Sequence, residues 1–188
     1  MLNDYFTNRQ KFVLAPAFDL DGVVKGVRTW KPKFFHNFPG PDSDAGEMVV
    51  DVILRSSATA IYFVSYQGFI NGSVFARNPG MAALAQALSG KQKREEIRLL
   101  SFGTGYYPRY MGNRKQDWGF SHWVRPLISL QLDGEMGANS YYCMQVLSPN
   151  QYHHLAPLLD KPIGLYEAKA IPALIKMAEN VDIEPTVK

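Results

Sequence analysis

Residues Phe69-Ile70-Asn71-Gly72-Ser73-Val74-Phe75-Ala76-Arg77-Asn78-Pro79 constrain this chain more than any other stretch. Phe69-Ile70 runs into Asn71-Gly72, a dipeptide favoured in turns because both residues tolerate positive φ. Asn78-Pro79 then reads as a helix start. Asparagine can satisfy orphan N–H groups there, and proline in the first turn forfeits no bond. The alanine-rich run from Gly80 to Leu88 continues the helix, and Ser89-Gly90 ends it. A turn closing an apolar segment and handing over to a helix is therefore written into one short piece of sequence.

The chain has 188 residues, enough for one domain (1–188) with a sizeable core. Hydrophobic residues make up 46% and charged residues 20%, which places it among ordinary globular chains. The net charge is only +3, and the densest basic run, Lys91-Gln92-Lys93-Arg94, is followed at once by Glu95-Glu96. This reads as a solvated segment, so nucleic acid is not an expected partner. No stretch is long and apolar enough to span a membrane, and the start lacks the basic and apolar regions of a secretory leader. The single cysteine, Cys143, lies in the apolar run 141–147 and reads as a buried structural thiol. A reducing, cytoplasmic location is the expectation.

Along the chain, residues 11–20 read as a strand, Asp21-Gly22 as a turn, and residues 23–30 as the returning strand. Residues 31–46, rich in proline and glycine, read as loop, and residues 47–54 as a helix with an acidic first turn. Ile61–Tyr66 and Ile97–Phe102 read as strands, the latter closed by Gly103-Thr104-Gly105. Residues 118–132, 139–147 and 167–180 read as helices, and Tyr152-His153-His154-Leu155 as a short strand. The alternation places the chain in the α/β class.

These segments, in this order, resemble the C-terminal half of a patatin-like phospholipase domain. Arg55-Ser56-Ser57-Ala58-Thr59-Ala60-Ile61-Tyr62-Phe63 is similar to that family's Ala-Ser-Ser-Ala-x-Pro-x-x-Phe segment, with Ala60 in place of the proline. The run from Asn71 to Pro79 resembles Asp-Gly-Gly-x-x-x-Asn-Asn-Pro, Leu100–Gly105 resembles Leu-Ser-Leu-Gly-Thr-Gly, and Tyr152–Leu155 resembles a tyrosine-led segment near the family's C-terminal end. The resemblance covers roughly residues 11–178. It implies a three-layer α/β sandwich, lipid acyl ester hydrolysis by a serine–aspartate dyad, and no cofactor or metal.

Two departures from the family pattern bear on activity. The upstream Gly-x-Ser-x-Gly nucleophile motif and the glycine-rich oxyanion loop have no counterpart here; Ser43, between Gly40 and Gly46, has the wrong spacing. Asn71 stands where the family has its dyad aspartate, with Gly72 and Ser73 completing the turn. An amide has no proton affinity near pH 7 and cannot act as a general base. The expected state is an inactive relative of the family. Two alternatives remain open: a subunit or fragment completed by an upstream half that supplies the serine, or a non-enzymatic module that binds a lipid or a protein. Without the upstream half, a sheet edge and apolar faces are expected to be exposed. The resemblance implies a lipid or acyl ester as ligand and, at most, peripheral membrane contact. The four histidines show no metal-ligand spacing and read as structural or surface residues.

Overall fold

The computed structural model describes residues 1, 2, 4, 12–112, 118–124, 126–164 and 166–184. Lys11, the first residue of the expected first strand, lies outside them.

β1 (Leu14–Val24) and β2 (Val27–His36) form an antiparallel hairpin. Its turn is Lys25-Gly26, both in the left-handed region at φ 49° and 81°, the geometry a two-residue hairpin requires. The expected turn at Asp21-Gly22 is instead a β-bulge, with the register shifting between Asp19 and Gly22. There the Asp21 carboxylate accepts hydrogen bonds from the Arg28 guanidinium on the returning strand. Residues 31–36 are likewise strand and not loop. β2 is an edge strand of the order β2-β1-β3, where Pro32 can be accommodated without an N–H.

β3 (Phe69–Asn71) pairs with the other edge of β1, placing Ala17 opposite Asn71 and Phe18 opposite Ile70. Helix α1 (Val49–Ser57) packs on one face of this sheet. Ala17 and Val52, almost free of solvent, join Leu2 and Phe35 in the core there. Phe35 and Phe69 meet edge to face with ring centres 5.5 Å apart, and the Arg55 guanidinium lies over both rings. The segment 61–66 is not a strand. It is a turn with an isolated bridge between Tyr66 and Phe69, because Ile61 takes a left-handed φ of 78° that breaks extension.

The second part is built on α2 (Gly80–Ser89), β4 (Leu99–Phe102), α3 (Phe120–Trp123), α4 (Pro126–Val146) and β5 (Tyr152–Leu155). β4 and β5 pair in parallel, each with no other partner strand among the described residues. Alternation along β4 turns Leu99 and Ser101 inward and leaves Leu100 and Phe102 exposed. Leu84, Cys143 and Leu147 form the core between α2 and α4, joined by Leu99 and Tyr152. Cys143 is fully buried, and burial pushes its thiol pKa up, as befits a structural thiol. The two expected helices at 118–132 and 139–147 are drawn differently: one 21-residue helix, α4, runs straight through Gly134 and Gly137 after the short α3. Helix α5 (Ile171–Glu179) follows a short 3-10 turn and carries Pro172 in its first turn. Among the described residues no helix is long and apolar enough to cross a membrane. The chain is thus a mixed α/β structure with one antiparallel and one parallel sheet.

Leu84 is 1% exposed at the centre of the second core. Leu84→Ala is expected to lower unfolding free energy by about 2–5 kcal/mol, read as a reduced denaturant midpoint at unchanged slope.

Candidate functional site

Asn71 is the last residue of β3, and its place there follows from three hydrogen bonds. Its N–H donates to the Ala58 carbonyl at 2.9 Å, tying the strand end to the end of α1. Its side-chain oxygen accepts from the Ser73 N–H at 2.5 Å and caps the 3-10 turn Gly72–Val74. Its side-chain nitrogen donates to Thr59 Oγ1 at 3.3 Å. The sequence reading of a turn residue is correct in function, although Asn71 itself has an ordinary φ of −51°. The turn is made by the side chain, not by positive φ.

Gly72 is needed for a different reason. A Cβ built on it would lie 2.4 Å from the Pro16 carbonyl carbon and 2.5 Å from the Pro16 Cβ. The Pro16 carbonyl oxygen also accepts a 2.8 Å bond from Ser56 Oγ. Pro16, Ser56 and Gly72 therefore form one close junction between β1, α1 and the turn. Ser73 is half-buried and contributes its N–H to the cap.

Asn78 does what its position before a proline implies. Its side-chain oxygen accepts from the Gly80 N–H at 3.0 Å, capping α2. The same side chain, 2% exposed, donates to Ser140 Oγ at 3.0 Å and to the Tyr152 hydroxyl at 3.3 Å, and accepts from Ser101 Oγ at 3.1 Å. Beside it, Glu135 accepts from the backbone N–H groups of Arg77 and Asn78, while Arg77 pairs with Asp133 at 2.6 Å. Burial raises the Glu135 pKa, partly offset by those two backbone bonds.

A serine–histidine contact went unnoticed in the sequence. Ser101 and His154 sit opposite each other in the parallel pair, and His154 Nδ1 lies 2.9 Å from Ser101 Oγ. Only strand register brings them together, so no motif could have signalled it. With the Ser101 hydroxyl donating to Asn78, His154 Nδ1 must donate to Ser101. That polarity is opposite to a base that withdraws a serine proton, so the pair is a structural bond. His154 Nε2 is buried with no partner among the described residues. Burial, with a smaller contribution from His153, holds the His154 pKa below its ordinary value. Ser43 lies in the loop before α1, where its N–H donates to Gly40 and Asp44 pairs with Lys33. Among the described residues no group of three or more metal-ligating side chains comes together. A cavity of about 340 Å³, mostly apolar, opens between Thr104, Leu159, Tyr166, Glu167, Ile171 and Leu174.

The site that emerges is an amide-closed turn at the end of a short strand, in a mixed α/β chain. That chain has relatives over most of its length. It is 29% identical to "Protein teg" of Priestia megaterium over 203 aligned positions, covering 94% of this chain and 62% of that protein. It is also 29% identical to "Putative sporulation hydrolase CotR" of Bacillus subtilis over 204 positions, with the same coverage. The chain thus spans 62% of the length of these curated relatives. No protein-family profile matches it, and no solved structure matches it.

Two expectations follow. Gly72→Ala should destabilise the chain by at least about 2 kcal/mol, since backbone must move to admit the methyl group. Gly134→Ala, in an exposed helix position with open space around it, should be neutral or stabilising by up to about 1 kcal/mol in the same denaturant melts. The second concerns pH. His154 in the unfolded chain takes up a proton at its ordinary pKa, before the folded form does. Stability should therefore fall as pH drops below about 6.5, and this loss levels off below the folded pKa. His154→Gln should flatten that part of a stability-versus-pH curve.

Proposed function

We propose that this chain is a patatin-like lipid acyl hydrolase relative, corresponding to the C-terminal portion of a three-layer domain and inactive by itself. The observation that carries the reading is the Asn71 turn. It stands at a strand end beneath the Ala58–Thr59 segment, as the order of the resembling motifs requires. A relative named as a hydrolase adds support. The amide at position 71 argues for inactivity, because the cradle uses both its ends in structural bonds and neither can hold a serine's proton.

The cradle would also suit a carboxylate. An aspartate could accept from the Ser73 N–H with one oxygen and from the Thr59 hydroxyl with the other. Asn71→Asp should therefore fold as well as the parent chain.

The test has two arms. The folded chain, incubated with a fluorophosphonate probe and a p-nitrophenyl ester, should show neither serine labelling nor turnover above buffer. Labelling at Ser43, Ser73 or Ser101 would refute inactivity. In the second arm the chain is co-expressed with the part of the Bacillus subtilis relative that has no counterpart here. Ester turnover should then be about 10²–10⁴-fold higher with Asn71→Asp than with the parent chain. Equal turnover in both would remove position 71 from the chemistry and favour an active enzyme completed by another segment.

A further inference from the structure

The turn between α1 and β3 exposes Ile61, Tyr62, Phe63 and Val64 to 96, 47, 60 and 88% of their surface. Single exposed apolar residues are ordinary on a protein; four in succession at one turn are not. The backbone is fixed. The N–H groups of Tyr62 and Phe63 both donate to the Thr59 carbonyl, at 3.2 and 2.9 Å. Ile61 is held at φ 78°, a conformation that a β-branched residue takes only when its surroundings impose it.

The base of the turn is polar and anchored. Thr59 Oγ1 receives the Asn71 side chain, and the Tyr66 hydroxyl donates to Asp51 at 2.8 Å. The tip is hydrocarbon and aromatic, and no charged residue occurs between Ser56 and Ala76. The Tyr62 ring lies 5.6 Å from that of Tyr166, a wall of the apolar cavity.

We propose that the Ile61–Val64 turn is an interfacial anchor that inserts into the acyl layer of a lipid surface. A protein-binding face offers a hydrogen-bonding rim and a packed core. This tip offers neither, since its backbone donors are already used within the turn. A charge-free apolar tip flanked by Tyr62 and Tyr66 matches the layering of a lipid interface, where tyrosine suits the headgroup boundary. The choice of a lipid partner rests on the acyl hydrolase reading, but the test involves no ester turnover, so either can fail without the other.

The decisive measurement uses Phe63→Cys carrying the environment-sensitive dye NBD. Labelling is selective because the one native cysteine, Cys143, is buried. Phosphatidylcholine vesicles should blue-shift the dye and raise its emission about twofold or more, whereas the same dye at Phe102→Cys on β4 should not respond. Phe63→Asp, at an exposed position that leaves the core intact, should weaken vesicle partitioning about tenfold or more. Added phosphatidylglycerol should not be needed, and salt should not abolish binding. The proposal is overturned by an unresponsive dye at position 63, or by an equal response at position 102. Binding confined to phosphatidylglycerol vesicles at low salt would also overturn it, showing adsorption of a cationic chain. So would a dye shift without vesicles, accompanied by a doubled sedimentation mass that Phe63→Asp abolishes, since the turn would then bind a second copy.

Discussion

The contact between Gly72 and Pro16 sets the geometry of the first sheet. β3 is only three residues long and cannot hold its place by ladder bonds alone. It is fixed because the chain leaving it passes directly over the Pro16 backbone, closer than any side chain would permit. The same Pro16 carbonyl is bonded to Ser56 at the end of α1. Ala17, the next residue, has no exposed surface and is small enough for α1 to lie close to the strand. One proline, one glycine and one alanine thus position a strand, a turn and a helix relative to each other.

The second part depends on a different kind of interaction. Asn78 gives its amide to a helix cap, a serine, a tyrosine and another serine, linking α2, α4, β4 and β5. A buried amide is costly unless its bonding capacity is filled, and here it is filled. The hydrocarbon core of Leu84, Cys143 and Leu147 beside it is non-directional, whereas this network specifies register. His154 extends the network but leaves Nε2 unpaired, which is why acid acts at this point.

Local chemistry was legible where a residue acts on its near neighbours. The Asn78-Pro79 cap, the Asn71 turn, α2, β4 and β5 can all be read directly, because each is decided within a few positions. Readings failed where distant pairing overrides the local signal. Asp21-Gly22 carries a strong turn signature, yet Arg28 across the hairpin draws Asp21 into the ladder and the turn moves to Lys25-Gly26. Gly134 and Gly137 suggest a break, yet packing on α2 keeps α4 continuous. Ile61–Tyr66 has the composition of a buried strand, and composition cannot reveal a left-handed isoleucine. The Ser101–His154 contact exists only through parallel register. Of the site, residue positions could be read in advance; the Gly72–Pro16 approach that makes the turn possible could not.

The Asn71 cradle separates folding from chemistry. What the turn needs from position 71 is one acceptor for the Ser73 N–H and one group able to bond the Thr59 hydroxyl. Amide and carboxylate both satisfy this, so fold stability exerts little discrimination between them, while proton affinity differs completely. Thr59 belongs at the same time to the apolar turn, whose N–H groups bond its carbonyl. The amide therefore meets the Thr59 side chain and the turn meets the Thr59 backbone, through different atoms. An exchange of nitrogen for oxygen at position 71 would change the capacity for acid–base work and leave the shape of the exposed tip unaltered. Loss of catalysis in a chain built this way carries no necessary loss of its capacity to meet an apolar surface.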